Sequence, residues 1–405
     1  MTTMLPANTC VLCSERITRS TDSAEHILLQ ALGGRRQVRG FLCKQCNSRA
    51  GFAWDADLVK QLSHVAAMHG VDRQRAGDLP PVRVKKLNGD ELILHADGLM
   101  APSAPTYRVV ESERGSSINI TARTRNEAIR MVQGVAKKYP NVDASAVLAG
   151  MTMSSTPNEE ILQLQLQVGG PKAARSIVKT ALAMAHAIGI RHEQCGSIVS
   201  FLRGDDDTAP PYGPFYERDI VRPRSADHLL NCVAIDADPQ RQLALAYVEY
   251  FGVARYIVTL SETYSGPKRH QVYAIDPSAG TEISVDVDLA LSPEELQRAN
   301  RGEGCAVDGY IAAANMMMPI LLRRAESRAW QNTLRAAFEG AAKQMGIKDG
   351  DMIEASQAQE FSRLVAQAVT PYLLALQRRT RKGVAEADTD SAVPPAAAST
   401  TREAT

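Results

Sequence analysis

The feature that most constrains this chain is a pair of Cys-x-x-Cys knuckles, Cys10–Cys13 and Cys43–Cys46. Each knuckle offers two thiolates from one tight turn, and together they supply the four soft ligands of a tetrahedral zinc site. The remaining cysteines, Cys195, Cys232 and Cys305, have apolar or small neighbours, and we interpret them as buried hydrophobic side chains. The spacing predicts a structural Zn²⁺ bound by Cys10, Cys13, Cys43 and Cys46. A redox dithiol is the alternative, although two symmetric pairs favour metal binding.

The segment between the knuckles, residues 14–42, is longer than the about 15–20 residues typical of a plain zinc ribbon. It contains "AEHILLQALGG" at 24–34. We predict a short strand in "AEHIL", a sharp reversal at Gly33-Gly34, a returning strand in "VRGFLC", and a helix that begins at Asn47. This ββα arrangement would bring Glu25 close to Asn47, with His26 at the neighbouring position. An inert loop on a structural zinc site is the alternative.

These residue types suit phosphodiester hydrolysis. The side-chain oxygens of Glu25 and Asn47 are ligands that a hard divalent cation prefers, and His26 could take a proton from water. A metal ion that polarises the phosphate and a base that generates the nucleophile are sufficient for this reaction.

The whole pattern, C-x2-C…E-H-I-x4-L-G-G…L-C-x2-C-N-x3-G, resembles the HNH, or His-Me finger, endonucleases. The resemblance is to the subgroup whose hairpin is bracketed by a four-cysteine zinc site, and it covers residues 10–58. It implies that His26 is the general base and that Glu25 and Asn47 bind Mg²⁺ or a similar divalent ion. Asp55, in "WDADL", also fits this subgroup.

Two positions depart from the family pattern. Many relatives carry an asparagine about five residues before the third cysteine, where it orients the histidine, and this chain has Val38 there. Gly51 stands where some relatives have an extra histidine ligand. We therefore expect another group to orient His26, and a metal ion held by two protein ligands, phosphate and water, which suits magnesium.

Positive charge is concentrated between Glu25 and Asp55. The chain as a whole has a formal net charge of only +1, yet this segment contains cations and no acid. The cations are Arg35, Arg36, Arg39, Lys44 and Arg49. They predict phosphate contacts with a nucleic acid; cations that merely solvate a loop are the alternative.

The rest of the chain predicts an α+β fold. The predicted segments are a nuclease module with zinc at 1–70, an α+β domain with an antiparallel sheet at 82–288, a helical region at 289–382 and a disordered tail at 383–405. Within them we expect a linker at 70–81, a hairpin at 82–98, a strand at 161–168, a helix at 169–188 and then strands spaced like a meander. A capping box at Ser292–Glu295 begins the helical region, with breaks expected at Pro319 and 346–350.

Together these features predict a metal-dependent HNH endonuclease that hydrolyses DNA, of a bacterial or phage type suited to defence against foreign DNA. A non-catalytic zinc finger that binds nucleic acid or protein is the main alternative, and a nuclease acting on RNA is another. The sequence shows no signal-peptide pattern and no apolar run that would span a bilayer, so we expect a cytoplasmic protein. The helical C-terminal region is a candidate for homo-oligomer contacts. We expect His64, His69 and His186 to have packing or surface roles.

Overall fold

The computed structural model describes residues 9–72, 81–95, 99–112, 115–151, 162–163, 166, 168–204 and 211–390. The fold is mixed, with helices and antiparallel sheets. The chain forms two compact units. The first comprises 1–84, 93–99 and 164–327, and the second comprises 85–92, 100–163 and 328–405.

The N-terminal module, defined here as residues 9–72, contains a small hairpin followed by a long helical run. Its elements are β1 (Glu25–His26), a 3₁₀ turn (Gln30–Leu32), β2 (Gln37–Val38), α1 (Lys44–Ala50), a π-helical turn (Gly51–Asp55) and α2 (Ala56–His69). The strands are antiparallel, with Glu25 opposite Val38 and His26 opposite Gln37.

The strands of this module are shorter than the sequence predicts. Ile27, Leu28 and Leu29 are all buried, and a surface strand that alternates its side chains cannot bury three in succession. The chain turns there into the 3₁₀ segment instead. On the return, Gly40 adopts a positive φ of 71°, which bends the backbone away directly after β2.

The first helix also begins earlier than predicted, at Lys44 instead of Asn47. Cys43 is its N-cap: its backbone is extended, and its Sγ atom accepts a hydrogen bond from the Cys46 amide. The second knuckle is thus the first turn of the helix. Asn47 consequently lies inside α1.

A six-stranded antiparallel sheet forms the core of the first unit. Its strands are β9 (Tyr212–Pro214), β11 (Asn231–Asp238), β12 (Leu243–Tyr250), β13 (Ala254–Ser261), β14 (Arg269–Asp276) and β15 (Thr281–Glu282). Their order is β15-β14-β11-β12-β13-β9. The predicted meander is wrong at β14, which pairs with β11, because β9 already covers the free edge of β13. A separate pair joins β10 (Val221–Arg222) to β16 (Asp286–Val287).

The helix α5 (Gly170–Ala187) confirms the prediction for 169–188. It packs against β11, β12 and β13, and also against β2, α2 and the π-helical turn of the N-terminal module. All residues from Ser176 to Ala185 are buried, including Lys179. The short helix α6 (Gly196–Arg203) follows it. The N-terminal module and the sheet therefore share α5 as a common core.

The segment after the N-terminal module contains short strands and helices. They are β3 (Val82–Lys86), β4 (Glu91–Leu94), β5 (Met100–Pro102), β6 (Thr106–Ser112), β7 (Gly115–Thr121), α3 (Arg125–Lys138), α4 (Ala144–Ala149) and β8 (Leu162–Gln163). Four of these strands form a sheet in the order β5-β4-β3-β8. The predicted hairpin is confirmed over 82–95, with Gly89 at φ 91° in its turn, and positions 96–98 of that prediction lie outside the described residues. Part of the predicted strand at 161–168 is observed, as β8. The structure does not describe residues 161, 164, 165 and 167 of that prediction, nor positions 73–80 of the expected linker.

Three helices complete the described chain: α7 (Pro293–Asn300), α8 (Val307–Met345) and α9 (Ala355–Asp390). The predicted capping box is present, since Ser292 and Glu295 exchange backbone-to-side-chain hydrogen bonds of 2.7 and 3.1 Å. The break expected at Pro319 is wrong: α8 continues through it, because buried Met317 and Ile320 hold both sides of the helix in place. The break at 346–350 is confirmed. Positions 383–390 of the predicted tail are helical, and 391–405 lie outside the described residues.

None of the helices in the described part of the chain is long and apolar enough to cross a bilayer.

Candidate active site

Four sulfur atoms meet at one end of the N-terminal module. The Sγ atoms of Cys10, Cys13, Cys43 and Cys46 all lie within 4.8 Å of one another, and all four are free thiols. The sulfur atoms of Cys13 and Cys43 are 3.8 Å apart, the separation expected of two ligands about 2.3 Å from one tetrahedral zinc ion. The cluster therefore fits a zinc ion, as the spacing predicts.

Backbone and side-chain donors surround this cluster. The Cys43 amide donates a hydrogen bond to the Cys10 sulfur at 3.4 Å, and Arg49 lies 3.7 Å from the Cys46 sulfur. Such donors stabilise thiolates. From α6, Arg203 donates to the carbonyl of Val11 at 2.8 Å, which attaches the first knuckle to that helix.

The glycine pair meets two steric requirements. Gly33 has a positive φ of 99°, and a Cβ atom there would lie 2.7 Å from the Cβ atom of Pro277. A Cβ atom on Gly34 would lie 1.8 Å from the carbonyl oxygen of Leu28. The reversal predicted at these positions therefore exists, and it allows the hairpin to pack closely on the sheet.

Glu25 and Asn47 converge as the sequence predicts. Glu25 is buried, with a residual exposure of 6%, and the Asn47 side chain lies close enough to lower the pKa of its carboxyl group. The Asn47 amide also donates to Ser23 Oγ at 2.7 Å. Burial raises the pKa of Glu25, and the opposing effects of the Lys179 charge and the Asn47 hydrogen bond only reduce that rise.

A third partner of this site comes from α5. The Lys179 ammonium contacts Glu25 Oε1 and lies 2.6 Å from Asp55 Oδ2, while Ser176 Oγ donates to Asp55 Oδ1 at 2.6 Å. Lys179 is 1% exposed. Burial opposes its charge, but the adjacent Asp55 and Glu25 carboxylates raise the pKa of Lys179 overall, so the ammonium stays protonated.

His26 lies beside Glu25 on β1 and is partly exposed. Because neighbouring strand residues point to opposite faces, its ring is directed away from the buried Glu25 side. The Nε2 atom of His26 is 3.0 Å from the Gln37 side-chain amide, directly across the hairpin. Val38, at the family's asparagine position, is buried instead.

The donors around Glu25 fit one hard divalent ion. Glu25 offers a carboxylate oxygen and Asn47 an amide oxygen, and both are ligand atoms that magnesium binds. Glu25, Asp55 and Lys179 together carry a formal charge of −1, which attracts a cation. One Glu25 oxygen is engaged by Lys179, so a divalent ion would be held by the other Glu25 oxygen together with the side-chain oxygen of Asn47.

The five predicted phosphate contacts divide into two groups. Arg35 forms an ion pair with Asp72, and Arg36 binds Glu282 through two hydrogen bonds and stacks over the Tyr273 ring at 4.6 Å. These two arginines hold the hairpin against the sheet. The other three cations have exposed side chains around the hairpin and α1: Arg39, Lys44 and Arg49.

His64, His69 and His186, the other histidines weighed from the sequence, have packing environments. His69 is buried against Phe251, and His186 Nε2 lies 3.2 Å from the Arg39 carbonyl oxygen. Burial lowers the pKa of His64 and His186. These packed rings agree with the packing or surface roles expected for them.

Sequence reasoning missed Lys179, Ser176 and Gln37. A lysine in the otherwise apolar stretch "IVKTALAMA" was a signal that could have been found, since a lysine on the buried side of a helix requires acidic partners. Which acids those are depends on the tertiary fold. Gln37 could have been found by pairing the two strands residue by residue.

Comparison with known families identifies the class of this region. Residues 10–63 match the model of the HNH endonuclease family. No curated protein and no solved structure matches the chain. The N-terminal module therefore contains a segment that matches the HNH endonucleases, which suggests nuclease activity in general, and the match does not extend to the sheet or the long helices.

Proposed function

We propose that this chain is a metal-dependent endonuclease that hydrolyses phosphodiester bonds of DNA in its N-terminal module. The observation that carries the proposal is the meeting of the Glu25 and Asn47 side chains, with His26 adjacent, inside the segment that matches the HNH family. In this proposal β1, β2 and α1 form the ββα finger, and the four cysteines bind a structural zinc ion at its base.

The residues divide the chemistry between them. Glu25 and Asn47 would hold the divalent ion, which supplies Lewis-acid polarisation of the phosphate when bound. His26 accepts the proton of the attacking water, a role that needs a partly exposed imidazole. The buried position of Glu25 fixes its carboxylate on the inner side of the hairpin.

Gln37 takes the part of the family's missing asparagine. Its side chain is 3.0 Å from His26 Nε2 and is held opposite the histidine by the β1–β2 register. In this proposal the Gln37 amide is turned so that its oxygen accepts from His26 Nε2–H, which fixes one orientation and one tautomer and leaves the Nδ1 lone pair free to take a proton, as a general base requires. The position shifts by one residue, from Val38 to Gln37, because Val38 faces the core.

Exposed cations support a nucleic-acid substrate. Arg39, Lys44 and Arg49 have exposed side chains on the module that carries the proposed site. Arg39 keeps 69% of its side-chain surface, although it approaches Asp22 at 3.4 Å. Such groups neutralise phosphates without reading bases. They fit a duplex substrate, which we take to be DNA.

The test is cleavage of supercoiled plasmid by the purified, zinc-loaded chain with Mg²⁺ or Mn²⁺. We expect nicked and linear products from the wild type, and a rate lower by about 10²–10⁴ in His26→Ala. His95→Ala, in the loop after β4, is the matched control and should cleave normally. Equal cleavage by His26→Ala and wild type would contradict the proposal. An excess of unlabelled RNA that suppresses plasmid cleavage would shift the substrate to RNA.

A non-catalytic nucleic-acid-binding module is the second candidate. One observation favours it: Lys179 already neutralises an oxygen of Glu25, the carboxylate that the metal needs. This candidate predicts plasmid binding in a mobility-shift assay without cleavage under any divalent ion, and no difference between wild type and His26→Ala.

A further inference from the structure

Lys179 is the charged group of the site that the mechanism above does not use. Its ammonium is 1% exposed and bridges two acids of the N-terminal module, Glu25 from β1 and Asp55 from the π-helical turn. It reaches them from α5, 154 residues beyond Glu25 in the chain. An ammonium between two carboxylates occupies the kind of position that a metal ion otherwise takes.

Asp55 is fully engaged in this arrangement. Its Oδ1 atom accepts a hydrogen bond from Ser176 and its Oδ2 atom binds Lys179, both at 2.6 Å. Both donors belong to α5. Asp55 therefore serves as the counter-ion of Lys179, although the sequence resemblance makes it look like an additional acid of the nuclease motif.

We propose that Lys179 is a positioning residue: a resident cation that fills the space between Glu25 and Asp55 and so confines the exchangeable divalent ion to the Asn47 side of Glu25. Its catalytic meaning rests on the proposed nuclease function, but its effect on metal binding does not. The nuclease site is then completed by a helix that lies outside the matched segment.

Charge and ligand count give the consequence of removing the ammonium. With Lys179 the three groups carry a formal charge of −1; with methionine in its place they carry −2, and two carboxylates face one gap. Adding carboxylate ligands and negative charge to a site strengthens divalent-ion binding. The stronger site lies in the wrong place, away from Asn47.

The experiment compares wild type and Lys179→Met as full-length, zinc-loaded proteins. Mn²⁺ alone is titrated and its binding is followed by electron paramagnetic resonance. We expect Lys179→Met to bind Mn²⁺ about tenfold more tightly or better, to gain melting temperature with Mn²⁺ more steeply than wild type, and to nick plasmid about tenfold more slowly or worse.

The double variant Asp55→Asn/Lys179→Met is the matched control. It restores the formal charge of −1 and removes one carboxylate, so the gain in Mn²⁺ affinity should disappear. Wild-type Mn²⁺ affinity in Lys179→Met would overturn the inference, as would a Lys179→Met protein that stays unfolded in millimolar Mn²⁺. If wild type never nicks DNA but Lys179→Met gains Mn²⁺ affinity, the nuclease proposal fails, whereas the proposed effect of Lys179 on metal binding is supported.

Discussion

The two clusters of ligand-type side chains in the N-terminal module are built in opposite ways. All four cysteines come from the module itself, and its own backbone amides donate to their sulfur atoms. The carboxylates of Glu25 and Asp55, by contrast, are held by Lys179 and Ser176 of α5, more than a hundred residues further along the chain. The zinc cluster is thus a local structure, whereas the candidate catalytic site depends on the sheet domain behind it.

The candidate catalytic site therefore requires the module to pack closely on the six-stranded sheet and α5. Tyr273 of β14 accepts hydrogen bonds from the amides of Arg35 and Arg36 at 2.9 and 3.0 Å. Asn231 of β11 donates to the Leu32 carbonyl at 2.6 Å. These contacts fix the hairpin relative to α5, and so fix Glu25 relative to Lys179.

The largest expected effect comes from breaking the local cluster. Cys43→Ser removes a zinc ligand but leaves a hydroxyl that can still cap α1. The apparent free energy of zinc binding in small zinc modules is about 10–16 kcal/mol, so the fold of the module should be lost with the metal. Zinc content by mass spectrometry and the unfolding transition measure this. Cys305→Ser should keep one zinc per chain, because Cys305 is exposed; its interpretation from the sequence as a buried side chain is wrong, whereas Cys195 and Cys232 are buried. Full zinc content in Cys43→Ser would show that the cluster is not the zinc site.

The second-largest expected effect is a loss of stability when the ion pair between Asp55 and Lys179 of α5 is broken. Asp55→Asn leaves the buried Lys179 with one carboxylate, and breaking such a pair should lower the free energy of unfolding by about 3–5 kcal/mol. Asp57→Asn, two residues away, loses only a 2.8 Å hydrogen bond from Gln61 and should cost about 1 kcal/mol or less. Chemical denaturation of both variants gives the comparison. Equal stability of the two would mean that α5 does not support the site.

The third prediction concerns Gln37, which orients His26 from within the hairpin and does not depend on α5. Gln37→Leu should reduce plasmid nicking about 10–100-fold, with an altered pH profile, because the His26 ring loses the group that sets its orientation and tautomer. Gln45→Leu, on the exposed side of α1, should nick at the wild-type rate. A wild-type rate and pH profile in Gln37→Leu would assign the orienting role elsewhere.

The smallest effect concerns the two groups of arginines. Arg39→Ala should weaken DNA binding a few-fold and reduce the salt dependence of log K by about 1, because it removes one phosphate contact. Arg36→Ala should instead lower thermal stability, because it removes the pairing with Glu282 and the stacking on Tyr273. Fluorescence anisotropy at several salt concentrations separates the two. A larger loss of affinity in Arg36→Ala would reverse this assignment.

The sequence predicts the local part of the site well. Knuckle spacing, the glycine pair and the convergence of Glu25 with Asn47 all follow from residues within one short segment. The boundaries are less accurate, since Cys43 caps α1 and moves its start from Asn47 to Lys44. That capping could be inferred only once the sulfur atoms had been placed in space.

The contacts that α5 makes with the candidate site could not be predicted from sequence patterns. Nothing in the spacing of α5 indicates that Lys179 meets Glu25, since that contact arises only when α5 packs between the sheet and the module. The pairing of β14 with β11 was missed for a similar reason: β9 pairs with the edge of β13, and that pairing depends on the tertiary fold. Continuation of α8 through Pro319 likewise depends on packing that overrides local propensity.

The most direct test of the account uses Asn47→Ala, which spares both the cysteines and the contacts of Lys179. Zinc-loaded wild type and variant are incubated with supercoiled plasmid, with Mg²⁺ or with a chelator that leaves the zinc bound. The account predicts that wild type nicks only with Mg²⁺ and that the folded variant, with one zinc per chain, nicks at most about one-hundredth as fast. Cleavage by the variant at the wild-type rate would contradict the assignment of the catalytic ion to the Glu25–Asn47 pair.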